Sequence, residues 1–240
     1  MDSVEKLVFQ KMPRFLLEIM RKYFRVQVEG LEHLPRTGPF IVAPNHSGFS
    51  GLDAMILMHE IHRSTGRLPK VLAHRFWFLT KATAVPAKRL GFVQASMSNG
   101  VRELKKNHII IIFPEGEQGN FKPTSRAYQL QEFKRGFVRM AVQTGAPIIP
   151  TMIIGAEETS INLDQLKLPR VLKGAILPLP LNLLPLPAKW KIKFLPPIVL
   201  PYKVESARDN DLMHEIAEDI QDQVQDHLRA EVRARKSIFR

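Results

Sequence analysis

Cysteine is absent from the 240-residue chain. That excludes a disulfide scaffold, a thiolate zinc site, an iron–sulfur cluster and a cysteine nucleophile. Long apolar runs are missing too: no uncharged stretch of about 18 residues, the length that reads as a spanning helix, escapes proline. The best candidate, residues 174–186, is cut by Pro178, Pro180 and Pro185, so no transmembrane span is expected. The opening MDSVEKLVFQ lacks the basic start and apolar stretch of a secretory signal. No Gly-x-Ser-x-Gly elbow is present to carry a serine nucleophile. Acidic residues are in deficit, 23 against 35 Lys plus Arg, giving a formal net charge of +12 and a pI near 10.1. That excess favours a polyanionic partner: anionic lipid headgroups, nucleic acid or a phosphorylated substrate. No nucleic-acid motif appears and the basic residues are spread rather than striped, so no nucleic-acid partner is expected.

At 45% hydrophobic and 24% charged residues, the composition is that of a packed protein. The length suits one α/β domain with a small helical appendage. Residues 4–24 place Val4, Leu7, Val8, Met12, Phe15, Leu16, Ile19, Met20 and Tyr23 at amphipathic-helix spacing, interrupted by Pro13 and flanked by basic residues. Such a helix either packs on the core or lies in a membrane interface. From Pro39 the pattern changes to short apolar runs bounded by turns. Residues 39–44, 70–74, 91–95, 108–113, 147–154 and 190–195 are predicted strands, with helices over 51–62, 99–106 and 133–145 between them. The fold class expected is α/β, a mixed and largely parallel sheet flanked by helices. Proline-rich residues 174–189 are expected as an extended loop. A long helix over 209–236, capped by Asp209 or Asn210, closes the chain. The expected division is an N-terminal amphipathic element over 1–30, an α/β core over 31–205 and a C-terminal helix over 206–240.

Two strand ends carry chemistry-bearing residues. Asn45-His46-Ser47-Gly48-Phe49-Ser50-Gly51-Leu52-Asp53 follows one strand and precedes a helix, where open α/β sheets bind ligands. His46 and Asp53 there suit a general base and the carboxylate that orients it. The alternative is that Asp53 forms a capping box with Ser50. Phe113-Pro114-Glu115-Gly116-Glu117 follows a second strand and offers a tight turn with a carboxylate.

Taken together, Asn-His…Asp before a helix, Phe-Pro-Glu-Gly about 70 residues later, and FKRGFVRMAVQTGAPIIPTMI beyond it resemble the glycerolipid acyltransferase family. That family includes the 1-acylglycerol-3-phosphate acyltransferases. The resemblance spans roughly residues 36–200. It implies transfer of a fatty acyl group from a coenzyme A or acyl-carrier-protein thioester, a co-substrate, to a lysophospholipid or related glycerolipid hydroxyl. No cofactor and no metal are implied. His46 would be the base, oriented by Asp53, and attack would be direct with no acyl-enzyme. Asn45, Glu115, Gly116 and the residue at position 118 would bind substrate. Two features depart from the family pattern. Six residues, not four, separate His46 from Asp53, and Gln118 stands where the family carries the arginine that holds an acceptor phosphate. Glutamine cannot replace a bidentate clamp. Either Arg89, Lys122 or Arg126 substitutes, or the acceptor carries no phosphate there.

The weaker signals keep two readings each. His59 and His62 lie at i, i+3 but not in a His-Glu-x-x-His motif. Lys81, Lys88 and Arg89 suit coenzyme A phosphates or a solvated face. Phe76, Trp77 and Phe78 suit a lipid contact or the core. The function expected is a peripheral membrane acyltransferase on the cytoplasmic face, meeting an anionic membrane surface. The alternatives are a lipid esterase or thioesterase, or a non-catalytic anionic-lipid-binding protein.

Overall fold

The structure is a computed structural model that describes residues 12–47, 51–167 and 176–239. In chain order its helices and strands are α1 (Met12–Tyr23), β1 (Gln27–Glu29), β2 (Phe40–Pro44), α2 (Leu52–Thr65), β3 (Lys70–Ala73), α3 (Lys81–Arg89), β4 (Phe92–Gln94), α4 (Met97–Lys105), β5 (Ile109–Ile111), α5 (Glu117–Asn120), α6 (Gly136–Thr144), β6 (Ile148–Ile154), α7 (Ala156–Thr159), β7 (Asn162–Lys167), β8 (Ile176–Pro180), β9 (Lys191–Phe194) and α8 (Asn210–Ala234). Among the described residues, seven strands form one sheet in the order β1-β9-β6-β2-β5-β3-β4. Every pairing is parallel except β6 with β9. This is the mixed, largely parallel α/β sheet that the sequence predicts.

The central strands are buried along their length because helices cover both faces. Ile41, Ala43, Ile110, Ile148 and Met152 point into a cluster with Phe133, Phe137, Ile216, Ile220 and Val224 on the α6 and α8 side. Phe40, Val42, Ile109, Ile111 and Ile149 point into the opposite cluster with Leu17, Leu57, Ile61 and Trp190 on the α1 and α2 side. The period of two along each strand therefore builds two cores on one sheet. Helix α8 is capped by Asp209, which accepts from the amides of Asp211 and Leu212. Its basic C-terminal end is structural, since Arg235 bonds Glu158 Oε1 at 2.6 Å and the Lys189 carbonyl at 2.6 Å.

Three features differ from the sequence expectations. Residues 27–29, grouped with the N-terminal element, form the edge strand β1 against β9. Residues 176–180, expected in a loop, pair with β7 as an antiparallel ribbon. Each strand of a two-stranded ribbon has a free edge, so Pro178 and Pro180 are tolerated where a central strand would reject them. Residues 81–89 form a helix despite Pro86. The part of the predicted N-terminal helix before Met12 lies outside the described residues, as does Ser50.

The turn after β6 depends on one glycine. Gly155 has φ +99°, and a Cβ there would stand 2.1 Å from the Lys189 carbonyl oxygen, a backbone atom of the segment entering β9. Gly155→Ala is expected to cost at least about 2 kcal/mol. Thermal denaturation should show a fall of roughly 4–8 °C, and an unchanged melting temperature would refute the close approach.

Candidate active site

Strand β2 delivers His46 to the carboxyl end of the sheet. Asn45, fully buried, spends its side-chain amide on the backbone of Ile153, donating to its carbonyl at 3.0 Å and accepting from its amide at 2.7 Å. Expected to bind substrate, Asn45 is given a different task by the structure: its amide extends the β2–β6 pairing by one step. The chain then turns, and the His46 ring stacks on Phe113 with centroids 3.9 Å apart. Nδ1 of His46 lies 2.6 Å from Asp53 Oδ2. The same oxygen accepts from the Ser47 amide at 3.0 Å, and Oδ1 accepts from the Ala54 amide at 2.7 Å. A carboxylate that accepts from two amides is an acceptor, so Nδ1 carries the proton and Nε2 keeps its lone pair. The six-residue interval is accommodated because α2 starts from Gly51 in the left-handed region, at φ 70°. Asp53 then sits in the first turn with its carboxylate facing back to His46. The capping partner proposed for it, Ser50, lies outside the described residues.

Glu115 has no exposed surface. Its Oε1 accepts from the His46 amide at 2.8 Å and its Oε2 from the Gln131 amide at 2.7 Å, with Lys122 Nζ at 3.8 Å. The sequence places Glu115 against substrate; the structure turns its carboxylate inward, where it fixes the backbone of His46. Two glycines make that possible. A Cβ on Gly119 would come within 2.5 Å of the Glu115 Cβ, and Gly116 turns the chain at φ +60°. Lys122 is equally committed: its buried ammonium lies 2.9 Å from Glu157 Oε1 and donates to the Gln129 carbonyl at 3.3 Å. It is therefore not free to replace the missing arginine.

The remaining sequence candidates scatter. Gln118 is exposed on α5 and Arg126 on the turn of residues 124–126. Arg89 ends α3 just before β4, the outermost strand. Since β4 runs parallel to β3, Arg89 stands at the amino ends of the strands, the opposite end from His46. Lys81, about 12 Å away along the helix axis, begins α3 at the carboxyl end. Phe76 and Trp77 are exposed, not packed in the core, and His59 bonds Glu18 Oε1 at 2.9 Å, linking α2 to α1.

Three groups escaped sequence reasoning. His74 Nε2, at the end of β3, pairs with Glu117 Oε1 at 2.8 Å. Lys134 places its ammonium over the turn, 2.9 Å from where a Gly116 Cβ would stand. Only the need for a left-handed glycine in Pro-Glu-Gly hinted at crowding there. Tyr128, itself at φ 61°, donates its amide to Glu157 Oε2 at 2.9 Å and accepts through its hydroxyl from the Gly155 amide at 2.8 Å. Burial, with Glu158 beside it, raises the phenol well above its ordinary range.

Burial pushes the Glu157 carboxyl up to about 7; Lys122 opposes the rise and the neighbouring Glu115 adds to it. Two buried carboxylates share one lysine, so a proton is retained. Between about pH 4.5 and about 7 the folded protein holds this proton and the unfolded chain does not. The contribution of Glu157 to stability is thus largest at the acid end of that window and is lost as pH rises through it. Glu157→Gln should flatten this part of the stability curve when wild type and variant are unfolded in denaturant at intervals from pH 4.5 to 7.5. Parallel curves would refute the assignment.

A family model described as Acyltransferase matches residues 25–154, just over half of the chain. An uncharacterised protein of Mycobacterium tuberculosis strain H37Rv is 34% identical over 233 residues, covering 91% of this chain and 65% of that protein. The chain therefore spans just under two thirds of the length of that relative. The 1-acyl-sn-glycerol-3-phosphate acyltransferase of Bacillus subtilis is 30% identical over 136 residues, 54% of this chain and 63% of that enzyme. The crystal structure of the 1-acyl-sn-glycerophosphate acyltransferase PlsC from Thermotoga maritima shares the fold, with a TM-score of 0.60 at 18% identity over 95% of this chain and 84% of that one. The family match covers the strand carrying His46, the Phe-Pro-Glu-Gly turn and the strand that anchors Asn45: the chain belongs to the acyltransferase family.

Proposed function

We propose that the chain transfers a fatty acyl group from a coenzyme A or acyl-carrier-protein thioester to a hydroxyl of a glycerolipid acceptor. The observation that carries this reading is the His46–Asp53 contact of 2.6 Å at the carboxyl end of a parallel sheet, with Nε2 left as the basic nitrogen. Family membership and the absence of cysteine support direct transfer. Nε2 takes the proton as the acceptor oxygen bonds to the thioester carbonyl carbon. The tetrahedral intermediate then collapses, the carbon–sulfur bond breaks, and the imidazolium returns its proton to the departing thiolate. A thioester already has a good leaving group, so base, positioning and electrostatic stabilisation are the main requirements. Asp53 holds the ring in the tautomer this needs and stabilises the imidazolium.

The test uses purified chain, an acyl-coenzyme A and a panel of lysolipids. General-base catalysis contributes about 10²–10⁴-fold, so His46→Ala should lower kcat by about that factor. Asp53→Asn should also cripple turnover, and the double variant should be scarcely worse than His46→Ala, because members of one catalytic unit are non-additive. Near-normal turnover in Asp53→Asn would remove it from the site. Ester or thioester hydrolysis without transfer would support an esterase instead.

The acceptor is water-insoluble, and among the described residues no helix is long and apolar enough to cross a membrane. The reading therefore includes peripheral attachment. On α1, Phe15, Leu16, Ile19 and Tyr23 are exposed, beside basic Arg14, Lys22 and Arg25. Tyr23 donates its hydroxyl to the Pro185 carbonyl at 2.8 Å, and Arg25 bonds the Pro187 carbonyl. These bonds join α1 to a loop whose Leu183 and Leu184 are 87% and 82% exposed. Such a surface suits the interface of an anionic bilayer. Replacing Leu183 and Leu184 by serine should reduce co-sedimentation with anionic vesicles at unchanged melting temperature, since neither side chain is packed. Full retention of binding would move attachment elsewhere.

A further inference from the structure

A small polar cavity lies between the loop after β2, α5 and the segment joining α7 to β7. It is lined by Ser47, the residue after His46, and by Asn120, Lys122, Thr124, Glu157 and Asn162, and it measures about 20 Å³. That is room for one water or one hydroxyl group. Three of its side chains bring buried polar atoms with no hydrogen-bond partner: Ser47 Oγ, Asn120 Oδ1 and Glu157 Oε1. Lys122 approaches Glu157 Oε1 at 2.9 Å without hydrogen-bonding geometry. Ser47 and Glu157 are only 3% and 7% exposed. Buried polar groups are ordinarily satisfied; here Ser47 Oγ and Asn120 Oδ1, from two separate segments, line one space without a partner, beside the Glu157 oxygen that Lys122 holds in an ion pair. Gly119 and Ser160 complete the lining; Asn162 donates to the Phe121 and Lys122 carbonyls, and Thr124 Oγ1 accepts from the Asn162 amide.

The unpartnered pair offers acceptors, an amide oxygen and a hydroxyl. It suits a small donor. An ammonium would meet Lys122, which already fills the cationic role. A phosphate would meet the carboxyls of Glu157 and Glu115 and is far too large. A hydroxyl group fits: it donates to one oxygen and accepts from Ser47. Building on the acyl-transfer reading above, we infer that this cavity is a subsite for a second, non-reacting hydroxyl of the acyl acceptor, which at this point is a neutral polyol such as a glyceryl group rather than a phosphate ester. Ser47, on one wall of the cavity, follows His46 directly in the chain, and its amide shares Asp53 Oδ2 with the His46 ring. The exposed Gln118 at the arginine position of the family agrees, because no bidentate clamp is built there.

The experiment compares a 1-acylglycerol with its 3-deoxy analogue, a 1-acyl-1,2-propanediol, as acceptors for the full chain in mixed micelles. Leaving the cavity's groups unpaired is expected to lower kcat/KM for the deoxy acceptor roughly 5- to 150-fold. Ser47→Ala and Asn120→Ala should each bring that ratio toward one, read within a single protein so that altered folding cancels. A ratio near one in the wild type, or one unmoved by both variants, means that the cavity holds water only and overturns the inference. A strong preference for lysophosphatidic acid over the 1-acylglycerol overturns it also. Failure of all transfer would instead sink the acyltransferase reading. The subsite is then read by calorimetry with soluble 1-hexanoylglycerol and its deoxy analogue: tighter binding of the first supports it, and equal affinity overturns it.

Discussion

A carboxylate without exposed surface is costly to bury unless its oxygens are given donors. Glu115 is that carboxylate, and satisfying it organises the site. One donor is the backbone amide of His46, from the loop after β2. Another is the amide of Gln131, from the irregular segment before α6. These segments meet because each completes the shell of the same side chain. The segment is itself held from the other side of the molecule: Gln225 Oε1 accepts from the Leu130 amide at 2.9 Å and Gln221 Oε1 from the Phe133 amide at 2.7 Å, both from α8. A continuous line of hydrogen bonds thus runs from the C-terminal helix, through the segment and Glu115, to the backbone of the base. Tyr128 and Gln225 close a parallel branch onto Glu157.

The carboxylates near His46 divide the work by where their oxygens point. Asp53 faces the imidazole and fixes a proton on Nδ1. Glu115 faces the backbone and fixes where the ring begins. Glu157 shares Lys122 with Glu115 and carries the proton that the pair cannot both give up. In the low local dielectric each arrangement is sensitive to the loss of one partner. Substitution of Lys122 would leave the buried Glu115 carboxylate without its cation and Glu157 Oε1 without its neighbour, a larger penalty than the worth of either pair.

How much of this could be read from the chain depends on the kind of information. The central strands were legible, because β2, β5 and β6 are continuous apolar runs and only doubly covered strands look like that. A meeting of His46 and Asp53 was legible from their types at a strand end and a helix start, and the structure brings them to 2.6 Å. The direction of a carboxylate was not: nothing in Phe-Pro-Glu-Gly distinguishes a Glu115 that faces a ligand from one that faces the backbone. Nor does Asn45 announce in the sequence that its amide pairs with the backbone of Ile153. Arg89 failed on topology, since spacing along a helix does not reveal which end of the sheet its last residue reaches. Strand β8 was hidden because its prolines argue against a central strand and are silent about a ribbon with free edges. Strand β1 is three residues long, too short for any periodicity.

The hairpin of β7 and β8 connects the two proposed surfaces through ordinary strand alternation. Asn162 points inward and lines the polar cavity, 7% exposed, while Leu163 beside it points outward, 57% exposed. Across the ribbon, Leu179 donates its amide to Asn162 Oδ1 at 2.8 Å and keeps its side chain exposed. The loop that continues from β8 is pinned near the same place, because Asn182 donates to the Thr159 carbonyl at 3.1 Å and Leu186 to the same oxygen at 2.8 Å. Thr159 ends α7, two residues after Glu157. The exposed leucines therefore stand at the carboxyl end of the sheet, on the outside of the wall whose inside is the cavity. An amphiphilic acceptor needs both environments within its own length: a polar pocket for the headgroup and apolar surroundings for the chain. One two-stranded ribbon supplies them on its opposite faces, so a bilayer resting on the leucines would hold the headgroup region beside His46 without requiring the lipid to leave the interface.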